Sequence, residues 1–345
     1  MITKISVIIP CYKASGKIGV LIGRINQIIP RIKNNSQISI YLVDDCCPQS
    51  CWKEVNFYKN VKIIHHKKNQ GVGASTLTGF RQALIDKNDF FIKMDADGQH
   101  PPEYLLELVP YLLSLPPYKL SLVKGSRFSL YVKGNNIPFI RRLGSFFLEP
   151  LARLSMSYRG LTDIANGFIS LNQITLEYLL AKKFENKLKK GFLFESSILK
   201  TCSSLGTEVH EFYMQPIYGS NWSSSMNTSS MIIPILFFWS NSIFERLIKK
   251  YIYSFNFGSL LLLSSFISGL ISLSIFLEQI LPRISSEIYV TAGNASSFTS
   301  LFLLSVILFC FFVLYDFNNR KSIKKIYFKI ASQSIKNEIY KNKKK

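Results

Sequence analysis

Acidic residues are scarce in this sequence of 345 residues: 21 Asp and Glu stand against 42 Lys and Arg, and the formal net charge is +21. Such an excess favours a polyanionic partner, which could be nucleic acid, anionic lipid or a phosphorylated substrate. From Asp316 onward there are ten Lys or Arg and two acidic residues, directly after an apolar segment and without a zinc finger or an aromatic-interleaved basic surface. This placement is typical of the cytoplasmic side of a membrane, so we expect contact with a lipid bilayer and no nucleic-acid partner.

The sequence also lacks a spaced cysteine framework. The segment CCPQSC (46–51) is too crowded for ordinary zinc-ligand spacing, and Cys310 lies in an apolar run. The thiols are therefore expected to be reduced, as in a cytosolic domain. The first residues lead directly into KISVIIP (4–10), which predicts a short strand and not a cleavable signal peptide.

The first 125 residues alternate between two kinds of pattern. Short apolar, β-branched runs such as ISVIIP (5–10) and ISIYLVDD (38–45) are separated by segments with helical spacing. This alternation predicts an α/β fold with a mostly parallel sheet, whose ligands bind beyond the carboxyl ends of the strands. Residues 126–230, richer in Arg, Ser and aromatic side chains, are interpreted as the second half of one domain that covers residues 1–230.

Two long runs without charge follow this domain. The first, GSLLLLSSFISGLISLSIFL (258–277), would span about 30 Å as a helix, which is the thickness of one hydrocarbon core. The second covers residues 298–315, and neither run shows the polar face of a buried soluble helix. A transmembrane hairpin is therefore predicted within residues 251–317. Basic residues precede the first run and follow the second, so the domain formed by residues 1–230 and both termini are expected in the cytoplasm and the loop outside.

The segments that flank the hairpin also predict contact with the membrane. Residues 231–250 are apolar but interrupted by polar side chains, which predicts an amphipathic helix lying in the interface, with Trp239 at the depth of the headgroups. Residues 318–345 are predicted to form a basic cytoplasmic tail.

Two carboxylates stand one residue apart in DADGQH (95–100), directly after the apolar run FFIK (90–93). Asp95 and Asp97 share a face if the strand continues, and a turn at the glycine would bring Gln99 beside them. Two carboxylates and an amide oxygen suit a hard divalent cation, Mg²⁺ or Mn²⁺, that keeps water or phosphate as its other ligands. The alternative is a turn whose carboxylates are merely solvated.

Two further motifs fall at strand ends or helix starts. Asp44 and Asp45 end a predicted strand, where they could accept hydrogen bonds from a nucleobase or ribose, or simply cap a helix. NQGVGASTLTGF (69–80) lacks the third glycine of a dinucleotide fingerprint and the Gly-Lys-Ser/Thr of a phosphate loop. Gly71 and Gly73 still permit phosphate to approach a helix N-terminus, although a glycine turn that only starts the helix fits equally well.

Arginines follow the next predicted strand. Arg127, in KGSRF, could form a phosphate clamp with Arg141 and Ser145, because a guanidinium group binds phosphate through two hydrogen bonds. The alternative is that these are solvated surface charges.

Taken together, six motifs resemble the family 2 glycosyltransferases, and more narrowly the dolichyl-phosphate mannose synthase and bacterial polyprenyl-phosphate glycosyltransferase branch with two C-terminal transmembrane helices. In chain order they are SVIIPCYK, VDDCCPQS, NQGVGASTLTGF, MDADGQHPP, KGSRF and LTDIANGF. The resemblance covers nearly the whole chain. It implies a GT-A (Rossmann-like) catalytic domain followed by an interfacial helix and two spans.

The resemblance also implies roles for individual residues. Those that would bind the nucleotide sugar are Pro10, Tyr12, Asp44, Asp45, Gly71, Gly73 and Asp95. Those that would hold the metal are Asp95, Asp97 and Gln99. Those that match the acceptor-phosphate contacts are Arg127, Arg141 and Ser145, and Asp163 matches an acidic position near the reacting sugar. Asp97, Asp163 and Arg127 would take part most directly in catalysis.

The reaction that the resemblance implies is inverting transfer of a hexose from a nucleotide sugar to a polyprenyl phosphate at the inner (plasma) membrane. UDP-glucose and undecaprenyl phosphate are the favoured substrates. The alternatives are GDP-mannose as donor, a transferase that extends a lipid-linked glycan, and a membrane scaffold without activity. Lys13 and Ala14 stand where the family has an acidic residue, and DDCCPQSC replaces the usual turn; both departures from the family pattern touch nucleotide contacts. Relatives suggest a homo-oligomer, although the sequence leaves the oligomeric state open.

Overall fold

The computed structural model of the chain describes residues 2–32, 35–128, 148–215 and 228–328. The chain divides into two compact units, one formed by Met1–Trp239 with Ser322–Lys345 and the other by Ser240–Lys321.

An eight-stranded sheet forms the centre of the first unit. The strands of the described chain are β1 (Thr3–Cys11), β2 (Ser36–Asp44), β3 (Val61–His65), β4 (Phe90–Lys93), β5 (Ser121–Ser126), β6 (Tyr158–Arg159), β7 (Ile169–Asn172), β8 (Glu208–Tyr213), β9 (Lys321–Ser322) and β10 (Lys324–Ile326). The order across the sheet is β10-β8-β5-β7-β4-β1-β2-β3, and only β7 runs antiparallel to its neighbours. The predicted mostly parallel α/β sheet is therefore confirmed.

Helices connect the strands and continue beyond them. They are α1 (Ile18–Ile28), α2 (Val72–Ile85), α3 (Leu105–Leu113), α4 (148–155), α5 (Gln173–Leu180), α6 (Lys182–Glu185), α7 (Phe194–Leu205), α8 (Thr228–Leu247), α9 (Phe257–Ile275), α10 (Leu281–Ser285) and α11 (Ala292–Asn318). Successive side chains of a strand point to opposite faces, so β1 contributes to two apolar layers. Val7 and Ile9 pack with Ile22 of α1 on one face, and Ile8 packs with Phe80 of α2 on the other.

The N-terminal half of α8, up to Trp239, belongs to the first unit. Trp239, which we expected at the depth of lipid headgroups, is only 2% exposed and joins the core layer on the α2 side, with Ile235 and Phe238 packed beside it. The indole ring is thus covered by protein and not presented to lipid, and its depth in the membrane stays a prediction. Ile233 and Phe237 remain 77% and 72% exposed, so the amphipathic character of the segment is kept.

The segment after the last long helix is built into the sheet. Lys324 of β10 pairs in register with His210 of β8, and Phe328 is buried with its ring centroid 5.0 Å from that of Phe212. Residues 324–328 are therefore part of the folded core, within the segment 318–345 that the sequence predicts to be a basic cytoplasmic tail. The physical reason is that a parallel edge strand gains both ladder hydrogen bonds and apolar burial.

Two long apolar helical segments form most of the second unit, as predicted. The most apolar stretches of Phe257–Ser285 and Ala292–Asn318 have mean hydropathies of 2.3 and 2.5, and only 17% and 6% of these stretches are buried. Such exposure argues against the core helices of a soluble domain. The helices contact each other through small side chains, since Ser265 Oγ donates to the Ser305 carbonyl and Ser305 Oγ to the Ser265 carbonyl, both at 2.9 Å.

Candidate active site

The carboxyl ends of neighbouring parallel strands bring predicted site residues to one edge of the sheet. Cys11 of β1 pairs in register with Asp44 of β2, and β4 pairs with the other side of β1 in the same direction. Pro10 and Tyr12 therefore flank the position beside Asp44. Pro10 is buried within β1, whereas 43% of Tyr12 is exposed, so Tyr12 presents its ring at this edge.

The turn DADGQH leaves β4 at the same edge. Gly98 has φ of +75°, a conformation that favours glycine, and it reverses the chain directly after Asp97. The backbone N–H of Gln99 then donates to Asp97 Oδ1 at 3.0 Å. Gln99 itself is buried, and ligation of a cation by its side chain stays a prediction.

A buried lysine holds one of the two carboxylates. Lys93 has no exposed surface, and its Nζ donates to Asp95 Oδ1 at 2.6 Å and to Glu195 Oε1 at 2.7 Å. Burial would raise the pKa of Asp95, but the Lys93 ammonium outweighs it and lowers this pKa to about 2. Sequence reasoning missed both Lys93 and Glu195; the only signal was a lysine that ends the otherwise apolar run FFIK.

The charge pattern of the turn fits a hard divalent cation. Desolvation by the surrounding protein and the neighbouring negative charge of Asp95 raise the pKa of Asp97, although its side chain is partly exposed to solvent. A cation between the two carboxylates would relieve this repulsion. Within the described residues no cluster of three His, Cys, Asp or Glu side chains is placed to hold a metal ion. A cation here would therefore need further oxygen ligands from water or phosphate, as Mg²⁺ usually does.

Arg127, directly after β5, forms a bidentate ion pair with Asp163. Arg127 Nη2 donates to Asp163 Oδ1 at 2.6 Å, while its Nε and its backbone N–H donate to Oδ2, each at 2.8 Å. Asp163 is only 2% exposed and adopts a φ of +47°. Burial would raise the pKa of Asp163, but Arg127 outweighs it and holds this pKa well below its usual range. Asp163 is thus poorly suited to accept a proton, and it orients Arg127. Arg141 and Ser145 lie outside the described residues.

A second buried lysine, Lys124, holds the backbone that carries Asp163. Lys124 Nζ donates to the carbonyls of Thr162 and Asp163 at 2.8 and 2.9 Å. Glu149 Oε1 accepts from the Asp163 backbone N–H at 3.0 Å, and Asn166 Nδ2 donates to Asp163 Oδ2 at 2.9 Å. Lys124 and Asn166 lie in the motifs KGSRF and LTDIANGF, but only the tertiary contacts show that they position Asp163.

The Asp45 carboxylate is hydrogen-bonded to other groups of the protein through both of its oxygens. Its Oδ1 accepts from the backbone N–H of Gln70 at 2.9 Å and lies 2.7 Å from His66 Nδ1, and its Oδ2 accepts from Gly71 N–H at 2.8 Å. The carboxylate thus ties the end of β2 to the loop before α2, and the nucleoside contact at Asp45 stays a prediction.

Asp44 is also buried but has fewer partners. Its Oδ1 accepts from the Cys47 backbone N–H at 3.0 Å, and its Oδ2 lies 3.0 Å from His65 Nδ1. Each carboxylate oxygen can accept a second hydrogen bond, so a nucleoside contact at Asp44 stays a prediction.

The glycines at the start of α2 are closely packed against the backbone around Lys190. The N–H of Gly71 donates to Asp45, and those of Gly73 and Ala74 donate to the Lys190 carbonyl at 2.9 and 3.2 Å. A Cβ added at Gly73 would lie 2.6 Å from the Lys189 carbonyl oxygen. The amides at this helix start therefore already have partners within the protein, and a phosphate contact at Gly71 and Gly73 stays a prediction.

Residues 6–151 match the sequence profile of the family described as glycosyl transferase family 2. The chain is 28% identical over 233 residues to the dolichol-phosphate mannosyltransferase of Pyrococcus furiosus, a match that covers 62% of this chain and 63% of that protein. It is 26% identical over 212 residues to the undecaprenyl-phosphate mannosyltransferase of Micrococcus luteus, with 60% and 81% covered. The matched part thus spans less than two thirds of the Pyrococcus protein.

The fold is similar to that of a solved glycosyltransferase. The crystal structure of glucosyl-3-phosphoglycerate synthase from Mycobacterium tuberculosis, in complex with UDP, aligns with a TM-score of 0.50 at 14% identity and covers 70% of this chain and 80% of that one. At this identity the likeness concerns the fold alone. Residues 6–151 are therefore similar to glycosyl transferase family 2, and the chain has a GT-A-like α/β fold.

Proposed function

We propose that this protein transfers a hexosyl group from a nucleotide sugar to a polyprenyl phosphate and inverts the configuration at the anomeric carbon. One observation carries the proposal. The carboxylate pair Asp95 and Asp97 and the guanidinium of Arg127, oriented by Asp163, follow strands of one sheet, in a chain that also has two long apolar helices.

The acceptor group needs positioning more than it needs a strong base. A phosphate monoester has a second pKa of about 6, so it is largely a dianion at neutral pH and already nucleophilic. Arg127 offers it a guanidinium group held by two hydrogen bonds to Asp163. Because Asp163 is engaged in this way, its role is to position Arg127 and not to remove a proton.

The donor diphosphate would lie near the carboxylate turn. Mg²⁺ or Mn²⁺ bound by Asp95 and Asp97, with Gln99 as a further candidate ligand, would neutralise charge on the departing nucleoside diphosphate as a Lewis acid. The candidates to contact the nucleoside lie at the ends of the neighbouring strands β1 and β2: Pro10, Tyr12, Asp44 and Asp45. Attack from the side opposite the leaving group would convert an α-linked donor into a β-linked lipid product.

The relatives favour mannose over glucose as the transferred sugar. Both relatives described above are named mannosyltransferases, so GDP-mannose comes first for this chain and the UDP-glucose of the sequence analysis second. A polyprenyl phosphate acceptor has the same support, and undecaprenyl phosphate is the specific polyprenol that we propose.

The apolar helices give the lipid acceptor a physical context. A polyprenyl chain stays in the bilayer, so its phosphate can be reached only at headgroup depth. Two spans, with the catalytic domain and both termini in the cytoplasm, would keep the protein at the membrane that holds this acceptor. We also propose a homo-oligomer, which cross-linking in native membranes would test.

The proposal is tested with the full chain in membranes. Membranes are incubated with undecaprenyl phosphate and with labelled GDP-mannose or UDP-glucose in parallel, and the labelled lipid is extracted and hydrolysed. We expect one mild-acid-labile monosaccharide lipid, formed in the presence of Mg²⁺ or Mn²⁺, from GDP-mannose more than from UDP-glucose.

Asp97→Asn is the matched variant, because it keeps the shape of the side chain and removes its charge. It should abolish the product, while Asp86→Asn, whose carboxylate pairs with Lys62 on the surface, should not. Label that enters only a longer glycan would favour a transferase that extends lipid-linked glycans. Absence of any labelled lipid with every donor would favour the inactive scaffold.

A further inference from the structure

The Lys93 side chain is unusual because it is a fully buried cation at the end of a fully buried strand. Its Nζ donates to Asp95 Oδ1 at 2.6 Å, to Glu195 Oε1 at 2.7 Å and to the Gly167 carbonyl at 3.3 Å. An ammonium group has three N–H donors, so all three are used. Removing such a group from water is costly, and it is retained only where partners compensate for the lost hydration.

The partners of Lys93 lie around one carboxylate. A Cβ added at Gly167 would lie 2.2 Å from Asp95 Oδ2, so the backbone that precedes β7 packs directly against the Asp95 carboxylate. His100 Nδ1 accepts the Asp95 backbone N–H at 3.1 Å, which leaves Nε2, 3.7 Å from Asp95 Oδ2, as the protonated nitrogen of the neutral ring. Lys93, Gly167 and His100 thus hold Asp95 in one orientation.

Glu195 completes this arrangement from a distant part of the chain. It lies in the first turn of α7, where a negative side chain is favoured by the helix dipole, and its side chain is 9% exposed. Lys93 and Glu195 are 102 residues apart in sequence, yet their opposite charges cancel. The carboxylates of Asp95 and Asp97 together carry a charge of −2, which matches one divalent cation.

We propose that Lys93 and Glu195 form a positioning pair for the divalent cation. The two residues hold Asp95 in its ligating orientation without contacting substrate. This inference rests on the proposed function, in which Asp95 and Asp97 bind that cation. Lys93 fixes Oδ1 of Asp95 by a hydrogen bond and Glu195 neutralises the added positive charge, so the pair orients the ligand and leaves the charge of the site unchanged.

The sharpest test removes both members of the pair. Lys93→Met combined with Glu195→Gln conserves net charge and approximate volume but releases Asp95 from its anchor. The purified full chain is titrated with Mn²⁺, and unbound Mn²⁺ is followed by electron paramagnetic resonance, in parallel with GDP and with UDP present. Groups that orient metal ligands typically contribute 10- to 100-fold to affinity, so the Kd for Mn²⁺ should rise roughly 10-fold or more.

The activity assay provides a readout that a purely structural role would not change. The Mn²⁺ concentration for half-maximal activity should rise by a similar factor, while kcat at saturating Mn²⁺ should change much less. The matched control is Lys119→Met with Glu208→Gln, which removes an exposed ion pair of 3.4 Å and should leave the Kd for Mn²⁺ unchanged.

A folded double variant, checked by its thermal midpoint, that binds Mn²⁺ as tightly as the unmodified chain would overturn the inference. If the double variant does not fold, Glu195→Gln alone takes its place. That change leaves Lys93 uncompensated, and an unchanged Kd would again contradict the pairing. The proposed function is judged separately by the labelled lipid, and Mn²⁺ binding that persists in Asp97→Asn would overturn its metal site and not only this pair.

Discussion

Arg127 and Asp163 face each other as a two-point ion pair, with Nη2 to Oδ1 at 2.6 Å and Nε to Oδ2 at 2.8 Å. The exposed fraction is 15% for the Arg127 side chain and 2% for that of Asp163. The guanidinium group is therefore presented toward the sheet edge by a carboxylate that is itself buried, and the two side chains should act as one functional unit.

The first prediction follows from this coupling. Asp163→Asn keeps the shape of the side chain but removes the charge that orients Arg127, so it should raise the KM for polyprenyl phosphate about 10-fold, as Arg127→Gln should. The double variant should be little worse than either single variant, because the two residues share one role and coupling energies in such pairs are about 1–3 kcal/mol. The KM for the nucleotide sugar should change much less, and steady-state kinetics with both substrates varied checks this. Additive effects of the two substitutions would contradict the prediction.

The second prediction concerns Gly73, where an added Cβ would lie 2.6 Å from the Lys189 carbonyl oxygen and 2.8 Å from that of Lys190. Both contacts are with backbone, which cannot move without shifting the loop, so Gly73→Ala should lower the free energy of unfolding by roughly 1–3 kcal/mol. Gly191→Ala is the matched control, since none of the described residues has a heavy atom within 4 Å of its added Cβ. Thermal unfolding of both variants measures the difference, and equal midpoints would show that the glycine is not required for packing.

The third prediction concerns the segment that returns to the sheet after the last long helix. Phe328 is buried against Phe212 and Tyr104, whereas the neighbouring Tyr327 is 61% exposed. Phe328→Ala should lower the free energy of unfolding by about 3 kcal/mol, because it removes a buried aromatic ring and leaves a cavity. Tyr327→Ala should have a much smaller effect. Thermal midpoints of the full chain in detergent test the difference; similar losses at the two positions would mean that the segment is not anchored through Phe328.

The fourth prediction concerns pH. His210 on β8 is buried, its Nδ1 lies 2.6 Å from Tyr111 Oη, and the charged groups that face it are Lys324 and Glu208. Burial and then Lys324 lower the pKa of His210, while Glu208 opposes them. The unfolded chain, in which the pKa is about 6.5, therefore binds the proton more readily than the folded chain. Protonation favours unfolding, so stability due to this residue is present above about pH 6.5 and decreases as the pH falls towards the pKa of the folded state.

The matched variant for this effect is His210→Gln, which cannot titrate but can still hydrogen-bond Tyr111. Its thermal midpoint should decrease less than that of the unmodified chain between pH 7 and pH 5. One proton contributes at most about 1.4 kcal/mol per pH unit to the difference. Parallel curves for the two proteins would rule out His210 as the cause.

Most of the fold could be predicted from local patterns. The alternation of apolar runs and helical segments predicts the parallel strands β1 to β4, and the two charge-free runs coincide with the long apolar helices. The antiparallel β7 and the edge strand β10 were not predicted. Their pairing depends on partners far along the chain, since β7 lies between β4 and β5 and Lys324 pairs with His210.

The candidate site was predictable in its chemistry but not in its contacts. Asp95 and Asp97 stand out in sequence because two carboxylates after an apolar strand repel each other. Gly71 and Gly73 were interpreted as phosphate contacts, yet their amides already donate to Asp45 and to the Lys190 carbonyl. A glycine at a helix start has the same local pattern in both cases, and only the distant partner distinguishes them.

The sequence by itself therefore determined the α/β class, the two long apolar helices and the carboxylate turn, because each follows from the spacing of apolar and charged residues within one segment. Only the tertiary structure decided which charges neutralise one another. Lys93 meets Glu195 across 102 residues, and Arg127 meets Asp163 across 36. Burying a charge is tolerable only when a partner is placed within hydrogen-bonding distance, and that distance is set by how the strands and helices pack.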